Sequence, residues 1–164
     1  MPESALTKLK KTDYLLFLDT SDTHNTATWT PGWKRATRST MFSLNPNPQV
    51  NTLNYIGFET PISEVDSYQP ELPQDIALYE GDPVFDYVRG KFHELPTGDD
   101  AKIPVLLCFG GTDKKAWQVE EATIQLGELN SVDGKQAYTL KLGGNITKGT
   151  YTVTAGAPTF TAAT

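Results

Sequence analysis

The stretch from Ile76 to Leu95, IALYEGDPVFDYVRGKFHEL, constrains the fold most, because only here does the hydrophobic spacing change from strand-like to helix-like. Ile76 and Leu78 alternate with Ala77 and Tyr79, and Gly81 breaks the run. Asp82 is placed to accept from the free N–H groups of a first helical turn. Pro83 follows where a missing N–H costs nothing and its φ already suits a helix. Val84, Phe85, Val88 and Phe92 then share one face, while Asp86, Arg89 and Glu94 point elsewhere. Pro96 and Gly98 end the run. The spacing predicts one amphipathic helix over about residues 83–95, too short to persist in water unless it covers a sheet.

Everything else reads as strand and loop. A chain of 164 residues suits a single domain over 1–164 and is large enough to bury a core without metal or disulfide staples. The ends read as loose, with a flexible N-terminal arm over about 1–12 and a loose C-terminus. No apolar run approaches the roughly 18 residues of a membrane span, and the N-terminal lysines are not followed by a signal-peptide core, so synthesis and assembly in the cytoplasm are expected. Cys108 is the single cysteine, inside the apolar run Val105 to Phe109, and reads as a small buried apolar residue.

The net charge of −6 is unevenly spread. Residues 1–58 carry six bases and four acids, 59–100 two bases and eleven acids, and 101–164 six bases and five acids. Nucleic-acid binding draws its affinity from Lys and Arg releasing counterions, so the acidic middle is unsuited to gripping phosphates.

Tyr14 to Leu18 reads as a strand buried on both faces or near a sheet centre. Asp19 to Thr30 reads as a polar loop, and Trp33 to Phe42 as a strand with one charged side. Pro46 and Pro48 deny donors to any neighbour, so Leu44 to Val50 is expected to project as a loop, within a long projecting segment over about 42–61. Leu53 to Phe58 is expected to form a short strand at the far side of that loop, with a second extended segment running through Tyr68. Ile103, Val105, Leu107 and Phe109 lie on one face of a strand that ends in the turn Gly110 to Asp113. Trp117 and Val119 have one parity and Ala122, Ile124 and Leu126 the other, which requires a β-bulge near Glu120 and Glu121. Val132-Asp133-Gly134 is a hairpin turn, and Tyr138, Leu140 and Leu142, then Tyr151 and Val153, mark two half-buried strands. About eight strands and one helix fit a mainly β fold, an antiparallel sandwich or barrel with the helix on one flank.

Chemistry is sparse. His24 and His93 have no partners at metal-ligand spacing, and no metal or cofactor is expected. No Gly-x-Ser-x-Gly elbow exists, Cys108 sits in an apolar strand, and Gly110 to Lys115 lacks the spacing and following helix of a phosphate loop. Carboxylate pairs such as Glu64 with Asp66 arise easily in so acidic a region. No catalytic residues are assigned and no enzymatic activity is expected.

Asn54-Tyr55-Ile56 with Glu59 and Pro61, Tyr68-Gln69-Pro70, Leu78 to Phe85, Lys115-Ala116-Trp117, Ala122-Thr123-Ile124, Gly144 to Thr150 and Gly156 to Phe160 occur in that order along the chain. In this order they resemble the major tail proteins of long-tailed phages of Gram-positive bacteria, the tail tube proteins. The resemblance implies a β-sandwich with one flanking helix, assembled as stacked hexameric rings into a virion tail tube through which DNA is ejected. It also implies as partners further copies of the chain, a tape measure protein in the lumen, and tail terminator and distal tail or baseplate proteins. DNA would pass without specific binding, and no membrane is involved.

Sandwich edges with unpaired backbone groups would suit ring closure, and Leu6, Leu9, Phe42, Leu44, Tyr55 and Ile56 are the candidate contacts between subunits or rings. Asp82, Pro83, Val84, Phe85, Val88 and Phe92 are the residues that cap and seat the helix. Six copies at −6 would place −36 on each ring, a wall past which DNA would slide. A different reading is a β-sandwich adhesin or carbohydrate-binding module, for which Trp29 and Trp33 would form an aromatic platform.

Overall fold

The computed structural model describes residues 6–22 and 29–163. His24, part of the Asp19 to Thr30 loop and the first five residues of the expected N-terminal arm lie outside them. Among the described residues the chain forms ten strands and one α-helix: β1 (Leu15–Asp19), β2 (Trp33–Arg35), β3 (Pro48–Leu53), β4 (Ile62–Tyr68), β5 (Glu71–Ala77), α1 (Pro83–Glu94), β6 (Lys102–Cys108), β7 (Lys115–Asn130), β8 (Lys135–Lys141), β9 (Ile146–Thr154) and β10 (Ala157–Ala162). The pairings are antiparallel throughout.

β7 is the spine. Its first half pairs β6 and β9 and its second half pairs β8, which in turn pairs β5. One path therefore runs β10-β9-β7-β6-β1-β2, and a second branch runs β7-β8-β5. β6 and β1 are buried on both faces, as the apolar run at Leu15 to Leu18 requires. Leu16, Leu18, Val105 and Leu107 face the main core with Leu72, Ile76, Val119, Ile124 and Leu140. Phe17, Leu106 and Cys108 face a second, smaller cluster with Ala116 and Tyr151. β10 returns against β2, so the six-strand path curls around that second cluster.

The bulge is where the parity switch demands it. Ile103 pairs Ala122 but Val105 pairs Val119, so β7 holds one extra residue in the Glu120-Glu121 stretch, and both glutamates are exposed. A second bulge lies at Gly127-Glu128, since Leu126 pairs Tyr138 and Leu129 pairs Gln136.

The helix starts as predicted. Asp82 Oδ1 accepts the Val84 N–H at 3.2 Å, Pro83 is its first residue, and Val84, Phe85 and Val88 are buried in the main core. Phe92, one turn further, is only half-buried. Leu95 closes the helix in the left-handed conformation at φ 53°, immediately before Pro96. Burial pushes the Tyr138 hydroxyl up, and the Asp82 charge adds to it.

Four expectations are corrected. The strand expected over Trp33 to Phe42 stops at Arg35, because the chain leaves β1 and crosses to β5, where Ser39 bridges Ile76 and Asn45 bridges Glu71. The segment expected as a projecting loop is a two-stranded ribbon, β3 with β4. Pro48 fits because it is the first residue of β3, a place where a strand tolerates proline. Leu53 to Phe58 is not a strand: Leu53 ends β3 and the residues after it form the ribbon's tip. The C-terminal segment is not loose, since β10 pairs β9 along its whole length, with Phe160 opposite Tyr151.

Candidate assembly surface

The ribbon is held at its base and bare beyond it. Asn45 and Glu71 exchange backbone hydrogen bonds at 3.0 and 2.9 Å, Gln69 N–H donates to Pro46 O at 3.1 Å, and Asn47 Nδ2 donates to Gln69 O at 3.2 Å. Asn47 adopts φ 45°, a left-handed geometry that asparagine tolerates, and Asn45 Oδ1 accepts its N–H at 3.0 Å. Lys141 Nζ pairs with the Glu71 carboxylate at the same base. That hydrogen bond, with one from Asn47, holds the Glu71 carboxyl below its usual range.

Beyond the base, Val50 faces Val65 and Leu53 faces Ile62 across the two strands. Phe58 N–H donates to Tyr55 O at 3.2 Å, closing the tip, and the two rings stand 6.2 Å apart. Val50, Val65, Tyr68, Tyr55 and Phe58 are each more than half exposed, and Ile56 is wholly exposed at 108%. A lone two-stranded hairpin is marginal in water, and exposed apolar side chains concentrated on one make the ribbon a candidate contact surface.

The other candidate contacts are placed differently. Leu6 and Leu9 are exposed, and Leu9 lines a groove of about 700 Å³ with Phe109 and the turn after β6. Phe42 is 39% exposed with its ring 5.8 Å from that of Tyr14. Leu44 is half-buried against the main core. The six residues thus do not form one patch: Tyr55 and Ile56 lie at the ribbon tip, Phe42 near its base, and Leu6 and Leu9 on the N-terminal segment. Sequence reasoning missed Val50, Phe58, Val65 and Tyr68. Their spacing hid them, since Val50 and Leu53, and Ile62, Val65 and Tyr68, recur every three residues instead of alternating, and the prolines before them argued against a strand.

Among the described residues no cluster of three His, Cys, Asp or Glu is placed to hold a metal ion. Burial pushes the Cys108 thiol up to about 12, which keeps it protonated at neutral pH. Trp29 and Trp33 do not form a flat platform. Their rings meet edge to face at 6.2 Å, both are partly buried, and Trp29 Nε1 donates to Asp19 Oδ2 at 2.7 Å.

No protein-family model and no curated protein matches the chain. Solved structures do match, among them the following two. The sheath/tube terminator of an extracellular contractile injection system, PVC, in the extended state is similar at TM-score 0.53 and 8% identity, over 88% of this chain and 98% of that one. The tail of an empty GTA particle, solved with C6 symmetry, is similar at TM-score 0.53 and 14% identity, over 94% of this chain and 100% of that one. The likeness is one of fold. It extends over nearly the whole of each chain.

Proposed function

We propose that residues 1–164 form a single tail tube domain, and that the protein is a structural virion component without catalytic turnover. Copies polymerise as stacked hexameric rings into a phage tail tube, the conduit for DNA at ejection. The observation that carries this reading is the ribbon β3–β4: an arm that a lone protomer leaves uncovered, projecting from a fold also found in tail components. The order of motifs resembling tail tube proteins of long-tailed phages of Gram-positive bacteria supports it, as does the C6 symmetry stated for the GTA tail.

The partners in this reading are sister copies, a tape measure protein within the lumen, and tail terminator and distal tail or baseplate proteins at the two ends. The chain is assembled in the host cytoplasm and functions in the virion, and no helix of the described residues is long and apolar enough to cross a membrane. The net charge of −6 per copy disfavours DNA sticking to the tube as it passes.

Negative-stain electron microscopy of the concentrated full chain tests the reading. Rings or tubes about six subunits around are the expected result. A monodisperse monomer at every concentration, with or without a tail initiation complex, would overturn it.

A further inference from the structure

The body of the protomer carries a groove of about 610 Å³ lined by Lys11, Arg35, Met41, Phe42 and Gln74, among others. Its origin is a missing donor. Along the outer edge of β5 the odd-numbered residues bond to the crossing segment: Glu71 with Asn45, Asp75 O with Thr40 N–H, and Ala77 N–H with Arg38 O. Pro73 has the same parity and no N–H to offer, and the bridges to β5 are interrupted between Ser39–Ile76 and Asn45–Glu71. Met41 and Phe42 are left 41% and 39% exposed beside two cations, and no carboxylate lines the groove.

The ribbon is its complement in both charge and polarity. Residues 39–70 contain three acids, Glu59, Glu64 and Asp66, and no base. The tip presents Tyr55, Ile56 and Phe58 next to Glu59. A protomer does not fill its own groove with its own tip. The ribbon joins the body at Asn45 and Glu71, its strands reach about 20 Å at ~3.3 Å per residue, and Met41, Phe42 and Ile56 all stay exposed in the protomer.

We infer that the ribbon tip of one copy seats in the Lys11–Arg35–Met41–Phe42 groove of a second copy, the apolar tip against Met41 and Phe42 and the ribbon carboxylates against the two cations. Such a contact is heterologous: each copy offers an arm and receives one, so the same joint repeats from subunit to subunit without pairing them off. The inference rests on the self-assembly reading above and names the surface that reading leaves open.

Two measurements on the full chain test it. In sedimentation velocity, Lys11→Glu with Arg35→Glu, and separately Glu59→Lys with Glu64→Lys, each raise the concentration needed for assembly on the order of tenfold. Combining all four restores it to within about threefold. In the second, Met41→Cys and Ile56→Cys proteins are mixed and mildly oxidised, and a covalent dimer forms in the mixture but in neither protein alone. Cys108 is buried and stays silent. Assembly by the wild type, with undiminished assembly by the charge-reversed proteins or no cross-link in the mixture, removes the ribbon-in-groove contact and leaves the tube reading standing. A wild type that never assembles removes both.

Discussion

Asp19 is buried to 1% exposure, yet it is an anionic side chain with a full set of donors. Oδ1 accepts from Ser21 N–H at 2.9 Å, Ser21 Oγ at 2.6 Å and Gly32 N–H at 2.9 Å, while Oδ2 accepts from Trp29. Burial pushes the carboxyl up, but the bonds from Ser21, Gly32 and Trp29 outweigh it and hold the group below its usual 3.8. A depressed folded value means that Asp19 contributes stability at neutral pH and loses it as pH falls from about 4 through the folded value. Asp19→Asn is expected to cost about 1–3 kcal/mol at pH 7, since the amide cannot accept at both ends. In thermal melts the gap between variant and wild type should narrow as pH is lowered toward 3; a constant gap would contradict this role. The residue was legible only as the end of an apolar run. Its partners Trp29 and Gly32 stand ten and thirteen residues away, a distance at which no local pattern operates.

The elements divide according to how local their causes are. The helix is local: cap, proline and apolar face occur within twelve residues, and the structure reproduces them. Asp82→Ala should cost about 1 kcal/mol through loss of the bond to Val84, lowering Tm by roughly 3 °C. The Glu120-Glu121 bulge is local in the same sense, because a change of parity is written in one strand. The β9–β10 hairpin depends on something less visible. Gly149 faces Ala162 so closely that an added Cβ would run into the Thr161 carbonyl, so Gly149→Ala should open the hairpin at a cost of about 1–3 kcal/mol, read as faster amide exchange across β10. Unchanged exchange would mean that this close approach does not matter. Proline hides the ribbon from a sequence reading because it usually breaks a strand, whereas Pro48 is the first residue of β3, where it breaks nothing.

At the scale of the whole molecule the protomer has two unlike surfaces, a closed body and an arm that the body does not cover. Ile56→Asp should separate them. The side chain touches solvent on all sides in the protomer, so Tm is expected to stay within about 1 °C of wild type, while assembly followed by light scattering is lost. A large fall in Tm would show instead that the tip supports the fold. Periodicity alone determined the helix and its cap, the parity of β6, β7 and β8, the bulge between Val119 and Ala122, and the burial of Cys108, because each follows from side chains a few positions apart meeting one face. The tertiary structure decided the rest. β3 found its partner in β4, β5 was bordered by residues 38–45 with a gap at Pro73, and β10 curled back against β2. These are pairings between distant backbone edges, and a backbone edge looks alike whatever side chains it carries.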